Sequence, residues 1–303
     1  MNPGLLWIDT DSAERAIASR NDITSDESAN LAKFARDGYF ITHIDLPASD
    51  AAQVDADVNR LWREKPSDVA FAYDSPPLRF STANEAVQRK PRYRIHDMHS
   101  ASRVARSLYT HPTLLRYASL ILGDEAVATQ SLYFEYGSQQ PLHRDSIVVP
   151  TPVFGRLLAS WIALEDIDAR SGALMYVPGS QKLPFYEFEP GQYMFDGRRM
   201  SGDLAVAAMR FHDEECARRG LSPKLFEAKR GDVLIWHSAL LHGGGEVGDQ
   251  KLTRKSFVVH YSTLRQHPSR EITVVDDGKE AVWTTRRLLD GRGFDNPLNG
   301  EPA

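Results

Sequence analysis

The run Leu142-His143-Arg144-Asp145-Ser146 sets an imidazole and a carboxylate two residues apart. The pattern predicts a strand over 142–149, on which His143 and Asp145 share a face with Cα atoms roughly 6.5–7 Å apart. Side chains so placed can hold one metal ion between them. His242 offers a further nitrogen, at the end of the apolar run Val233-Leu234-Ile235-Trp236 and ahead of a turn, Gly243-Gly244-Gly245. Two neutral nitrogens and one carboxylate on one side of a metal leave three positions open, the arrangement used by non-haem Fe(II) oxygenases. Arg254, in Thr253-Arg254-Lys255-Ser256-Phe257, follows on the next expected strand. Its planar guanidinium suits a carboxylate, and by alternation Ser256, Val258 and His260 share its face while Lys255 turns away.

These residues need a scaffold that brings distant strands together. The candidate strands are 127–136, 142–149, 157–165, 173–178, 232–237 and 253–262, with Gly or Pro between most of them. Short strands without regular intervening helices argue for a sandwich, barrel or jelly roll. The N-terminal third reads as helices with strand interruptions. Thr24 and Glu27 form a capping box, Leu31 and Phe34 give the apolar face, and Gly38 ends the helix before a strand at Tyr39-Phe40-Ile41-Thr42. A second helix is expected over about 49–64, and a third opens at His111-Pro112 and stops at Gly123. Residues 183–230 break the strand rhythm with aromatic residues and a charged helical piece at 212–219, a composition suited to a lid or binding loop.

Composition bounds the class. The chain has 303 residues, 42% apolar and 25% charged, with 41 acidic against 36 basic residues and a net charge of −5. That is an ordinary globular composition with no basic block, which argues against nucleic acid and anionic membrane surfaces as partners. The single cysteine, Cys216, excludes an intrachain disulfide. No stretch has the length of a membrane span and residues 1–30 hold no signal-like run, so the expectation is a cytoplasmic protein without integral membrane association.

The sequence resembles the phytanoyl-CoA dioxygenase family of Fe(II)- and 2-oxoglutarate-dependent oxygenases. The resemblance runs from about Arg92 to Tyr261 and is carried by four blocks. They are Pro141-Leu142-His143-Arg144-Asp145, Ala159-Ser160-Trp161-Ile162-Ala163-Leu164-Glu165-Asp166, Val177-Pro178-Gly179-Ser180 and the stretch from His242 to Tyr261. It implies a mainly β fold with flanking α: a double-stranded β-helix, or jelly-roll, cupin-like core with N-terminal helices and a long inter-strand insertion. The implied organisation is one oxygenase domain over 1–303, with a helical part at about 1–126, the core at about 127–265 and a tail at 266–303. It implies Fe(II) held by His143, Asp145 and His242, with 2-oxoglutarate and O₂ as co-substrates and a small-molecule or lipid-like substrate. Arg254 matches the residue that pairs with the far carboxylate of 2-oxoglutarate. Trp161, Tyr133, Ser131 and Arg94 fall at co-substrate contact positions. An aspartate at 145 favours hydroxylation, since related halogenases carry Ala or Gly there. Many relatives have a serine at the position of Gly244, so that hydroxyl contact is absent or comes from another group such as Tyr133.

Other residues read more plainly. His237 falls on the opposite face from His242 and is structural; His96 and His99 lack the further ligands that a zinc site needs. Trp236 reads as core, and His260 as either a core or a pocket residue. Rival readings are a non-catalytic cupin-like metal-binding protein, a Zn²⁺ hydrolase on the same barrel, and desaturation or cyclisation by the same triad.

Overall fold

The computed structural model describes residues 6–66, 69–73, 79–81, 89, 92–196, 199–266, 271–274 and 280–283. Its helices are α1 (Ala13–Ala18), α2 (Ser25–Asp37), α3 (Ala48–Glu64), α4 (Arg103–Tyr109), α5 (Pro112–Leu122), α6 (Asp145–Val148) and α7 (Gly202–Arg218). Both expected capping signals operate. Glu27 N donates to Thr24 Oγ1 at 3.1 Å while Thr24 N donates to Glu27 Oε2 at 2.8 Å, and α2 closes on Gly38 at φ +79°. Helix α5 has Pro112 in its first turn and ends on Gly123 at φ +70°.

The strands are β1 (Tyr39–His43), β2 (Ala70–Tyr73), β3 (Arg79–Ser81), β4 (Tyr93–His96), β5 (Ala126–Phe134), β6 (Leu158–Ala163), β7 (Leu174–Tyr176), β8 (Lys224–Phe226), β9 (Asp232–His237), β10 (His242–Gly244), β11 (Ser256–Thr263), β12 (Glu271–Val274) and β13 (Glu280–Trp283). The large sheet runs β1-β9-β6-β11-β5-β4-β2-β3, with the β12–β13 hairpin joined to β5, and the small sheet runs β10-β7-β8. Leu132, Trp161, Leu234, Trp236 and Val258 of the large sheet pack with Leu174, Tyr176 and Phe226 of the small one. Two sheets closed face to face over a shared core are the jelly roll that the sequence led us to expect. The other side of the large sheet is covered by the helical layer, where Leu31, Phe34, Val58, Leu114 and Ile121 pack against Tyr133, Ile162, Phe257 and Val259. Strand β5 is therefore buried along its whole length.

Three expectations need correction. Residues 142–149 do not form a strand: His143 makes an isolated bridge to His242, and the chain then turns into α6. Ser146 N bonds Ser238 O at 3.1 Å and Val149 N bonds Asp145 O at 2.7 Å, which draws the backbone out of the extended path. The helix expected at 212–219 is longer and begins at Gly202. His242 opens a strand rather than ending one, and Gly243 and Gly244 lie within it. Of the 266–303 tail, Gln266 and the strands β12 and β13 are described, and residues 197–198 of the insertion lie outside the described residues.

Candidate metal centre

His143, Asp145 and His242 come together so that one ligand atom from each lies within 4.8 Å of the others. Arg144 remains extended, φ −112° and ψ 131°, so the local alternation that aims His143 and Asp145 the same way survives the loss of the strand. Each histidine is fixed by its own chain two residues upstream. His143 Nδ1 donates to Pro141 O at 2.9 Å, and His242 Nδ1 donates to Leu240 O at 3.0 Å. A carbonyl only accepts, so both rings carry a proton on Nδ1 and turn Nε2 to the centre. Asp145 Oδ1 lies 3.4 Å from His242 Nε2 and 3.9 Å from His143 Nε2.

The charges fit a cation held between them. Burial, with His242 beside it, holds the His143 imidazole down to about 4. Burial opposes the charge on Asp145, but His242 and His260 outweigh it and hold the carboxyl well below its usual range. Asp145 in turn raises the His242 imidazole against its burial, so the metal-free carboxylate already draws a cation to its side, and a divalent metal would take that place among the two imidazoles.

Asp145 Oδ2 faces away from the histidine pair and accepts from Trp236 Nε1 at 2.9 Å, with His260 Nε2 at 3.5 Å. Reading Trp236 as core missed this contact; the inward alternation of Leu234 and Trp236 is the one sequence signal that bears on it. His260 proves to be a pocket residue. Trp236→Phe keeps the ring and deletes the donor, and metal affinity is expected to fall roughly 10–100-fold, read by competition with a chelator. Unchanged affinity would mean that Oδ2 needs no partner.

On the same inner face, Arg254 is buried, its Cζ 5.7 Å from the Trp161 ring and 5.4 Å from the Phe134 ring. Arg94 shares this region, with Cζ 5.7 Å from Phe134. Burial pushes both guanidinium groups down to about 10, still cationic at neutral pH. Arg254 Nε, Trp161 Nε1 and Ser256 Oγ are buried without a hydrogen-bond partner among the described residues. Ser256 pairs with Phe134 and Ala163 and so faces the same interior. Buried donors left unpaired cost free energy, and this set fits an anionic oxygen ligand such as a carboxylate. Sequence reasoning gave Ser256 the right face without assigning it to the site.

Tyr133 and Ser131 lie elsewhere. Both sit on the helical side of β5, where Tyr133 joins the core under the helices and Ser131 Oγ pairs with His99 Nδ1 at 2.7 Å. Strand alternation puts Phe134 and Leu132 inward instead, so the expected co-substrate contacts from Tyr133 and Ser131 do not match the faces these side chains occupy. His99 stacks on Tyr109, ring centroids 3.7 Å apart, and His96 Nδ1 lies 3.3 Å from Gln130 Nε2. His237 is structural as read: its Nδ1 accepts from Ala239 N and its Nε2 donates to Asp9 Oδ2 at 3.2 Å.

The family model for phytanoyl-CoA dioxygenase matches residues 34–256. The chain belongs to the phytanoyl-CoA dioxygenase family. Its curated relatives include the peroxisomal phytanoyl-CoA dioxygenase of Bos taurus, 25% identical over 166 residues that make up 52% of this chain and 46% of that protein. Phytanoyl-CoA dioxygenase domain-containing protein 1 of Mus musculus is 30% identical over 89 residues, 28% of this chain and 31% of that one. The chain spans about half the length of the first of these relatives. Among solved structures, EctD from S. alaskensis with 2-oxoglutarate and 5-hydroxyectoine has a TM-score of 0.57 at 21% identity, covering 89% of this chain and 85% of that one. The epimerase SnoN in complex with Fe3+, alpha ketoglutarate and nogalamycin RO has a TM-score of 0.56 at 20% identity, covering 79% and 84%. At these identities the likeness is one of fold, a jelly-roll core shared with Fe- and 2-oxoglutarate-dependent enzymes.

Within this phytanoyl-CoA dioxygenase family fold, the glycines after His242 have a steric cause. The segment 138–141 crosses directly over β10. An ideal Cβ on Gly243 would meet Gln140 O at 2.5 Å, and one on Gly244 would meet Gln139 N and Ser138 Oγ, each at 2.5 Å. His242 and Gly244 share the inward face of β10, opposite Tyr176 and Leu174 of the core between the sheets. The Ser138 hydroxyl thus stands where a side chain at 244 would begin. Gly244→Ala is expected to destabilise the fold by about 1–3 kcal/mol, seen as a lower Tm, because backbone has to move. An unchanged Tm would mean that the crossing segment yields freely.

The insertion packs at the metal end of the barrel. Ile147, in the turn that carries Asp145, joins Phe188, Met200 and Ala208 in one apolar cluster, and Phe195 N donates to Ile147 O at 3.0 Å. Phe154 contacts Phe185 and Tyr193, with ring centroids 5.1 and 5.8 Å away. No helix among the described residues is long and apolar enough to cross a membrane.

Proposed function

We propose that this chain is an Fe(II)- and 2-oxoglutarate-dependent dioxygenase that hydroxylates an unactivated carbon of a small-molecule or lipid-like substrate. The observation that carries this reading is the pairing of two features in one barrel interior. One is the His143–Asp145–His242 group with both Nε2 atoms turned to its centre; the other is the buried set of Arg254 Nε, Ser256 Oγ and Trp161 Nε1, which have no partner among the described residues.

The residues divide the work. His143 Nε2, His242 Nε2 and Asp145 Oδ1 would hold Fe(II), while Trp236 and His260 keep the second Asp145 oxygen turned away. Arg254 would take the far carboxylate of 2-oxoglutarate, with Ser256 and Trp161 beside it, Arg94 at the same wall and the Ser138 hydroxyl in place of a side chain at Gly244. When bound, iron with 2-oxoglutarate and O₂ supplies the oxidation: 2-oxoglutarate, O₂ and R–H give succinate, CO₂ and R–OH. The protein orients the components and excludes water through the apolar walls of Phe134, Trp161, Leu174 and Tyr176. Asp145 would fill a coordination position that halide chemistry needs open, which supports hydroxylation over halogenation. The insertion packed beside Asp145 supports a role in covering substrate.

Succinate release from 2-oxoglutarate, measured with and without Fe(II) and O₂, tests the reading. Succinate that depends on both supports it. Tight metal binding with no succinate would favour a metal-binding protein without this catalysis, and hydrolysis supported by Zn²⁺ would favour a non-redox enzyme.

A further inference from the structure

Arg144 lies between two of the proposed ligands and binds no metal itself. Its extended backbone sends the side chain to the face opposite His143 and Asp145. There it is fully buried, and the hydrogen bonds it makes among the described residues go to backbone carbonyls rather than to a carboxylate. Three neutral carbonyls take its hydrogen bonds, while the Glu215 carboxylate acts on its charge from beyond ion-pair distance. Nη1 donates to Pro184 O at 3.2 Å, and Nη2 donates to Ser180 O and Leu183 O, each at 3.1 Å. The guanidinium also lies over the Phe185 ring, 4.5 Å from its centroid.

These carbonyls mark the point where the chain leaves β7 and enters the insertion. Ser180 is tied a second time: its hydroxyl accepts from Leu241 N at 2.8 Å, immediately before His242. The root of the insertion is therefore hydrogen-bonded to both segments that carry the ligands. A buried cation whose hydrogen bonds go to carbonyls is a costly way to fasten a loop, and an apolar contact would hold the same place at lower cost. What the guanidinium adds is direction, because its planar fork fixes three carbonyls relative to the 143–145 turn.

We propose that Arg144 is a positioning residue that couples the seating of the insertion to the placement of the metal ligands. While the Ser180, Leu183 and Pro184 carbonyls are clasped, the 143–145 turn keeps its ligating shape. A substrate that seats or lifts the insertion acts on the metal through this side chain. The proposal rests on the triad reading above and goes beyond it.

The test uses the full chain loaded with Co(II), whose visible absorption reports ligand geometry. Arg144→Met keeps the apolar stem and deletes the donors, whereas Arg144→Lys keeps the charge and reaches fewer carbonyls. The Met variant, folded by its cooperative melt, is expected to bind Co(II) roughly tenfold more weakly. Its absorption spectrum should change, and protease should cut it faster within 185–196. The Lys variant should fall between it and the parent. Should Arg144→Met fail to fold, Phe185→Ala removes the ring under the guanidinium without touching a ligand, and the same spectral change and faster cleavage are expected. A variant that only melts earlier, with the parent's Co(II) spectrum and affinity, overturns the coupling. His143→Ala separates the two levels. If it binds Co(II) as the parent does, the triad reading falls; if it loses the metal while the Arg144 variants match the parent, only the coupling falls.

Discussion

His143→Ala and His242→Ala are each expected to remove 2-oxoglutarate turnover to below detection while leaving the protein folded. Each deletes one of three donors and leaves Asp145 with a single imidazole across the centre, too few ligands to keep a divalent ion against water. Retention of the fold follows from the backbone. His143 N donates to His242 O at 2.9 Å and His242 N donates to His143 O at 3.0 Å, and neither bond involves a side chain. Succinate formation under limiting iron, with a thermal melt alongside, checks both halves. Full activity in either variant sinks the ligand assignment, and loss of the cooperative melt sinks the claim that the frame is independent of the ligands.

Arg254→Met should act in the opposite directions on affinity and stability. Charge-assisted hydrogen bonds are worth about 1.5–3 kcal/mol each, and 1.4 kcal/mol is tenfold in affinity, so the KM for 2-oxoglutarate should rise roughly 10–100-fold. The same change relieves a buried guanidinium whose Nε has no partner among the described residues and whose Nη2 reaches Tyr136 O at 3.4 Å. Replacing such a cation by an apolar side chain of similar length is often neutral or stabilising, so Tm should hold or rise. Lower affinity with undiminished stability is the mark of a group kept for binding. An unchanged KM in the folded variant would put the carboxylate elsewhere.

Much of the site was legible because its signals are local. The capping box at Thr24 and Glu27, the strand at 232–237 and the shared side of His143 and Asp145 about an extended Arg144 each depend on a few neighbouring residues, and each forms as read. Which side of the sheet Tyr133 and Ser131 face is something periodicity cannot resolve. All of β5 is buried, helices on one side and barrel interior on the other, so no polar alternation marks which face is which. Trp236 and Ser256 were missed in a related way. A buried tryptophan looks like core until the partner of its N–H is known, and that partner, Asp145, comes from a distant segment. The strand expected at 142–149 was lost to Ser238, whose carbonyl takes Ser146 N; nothing near residue 146 announces that bond.

The reciprocal main-chain pair between residues 143 and 242 bears on how such a site can change over time. Peptide hydrogen bonds are indifferent to what the two side chains are, so the spacing of the two positions is inherited from the barrel and not from the ion. A lineage can exchange an imidazole for another donor, or for none, and still fold to the same cradle. The barrier to inventing a new chemistry here is then a single codon, not a new scaffold, and the barrier to losing the old one is equally low.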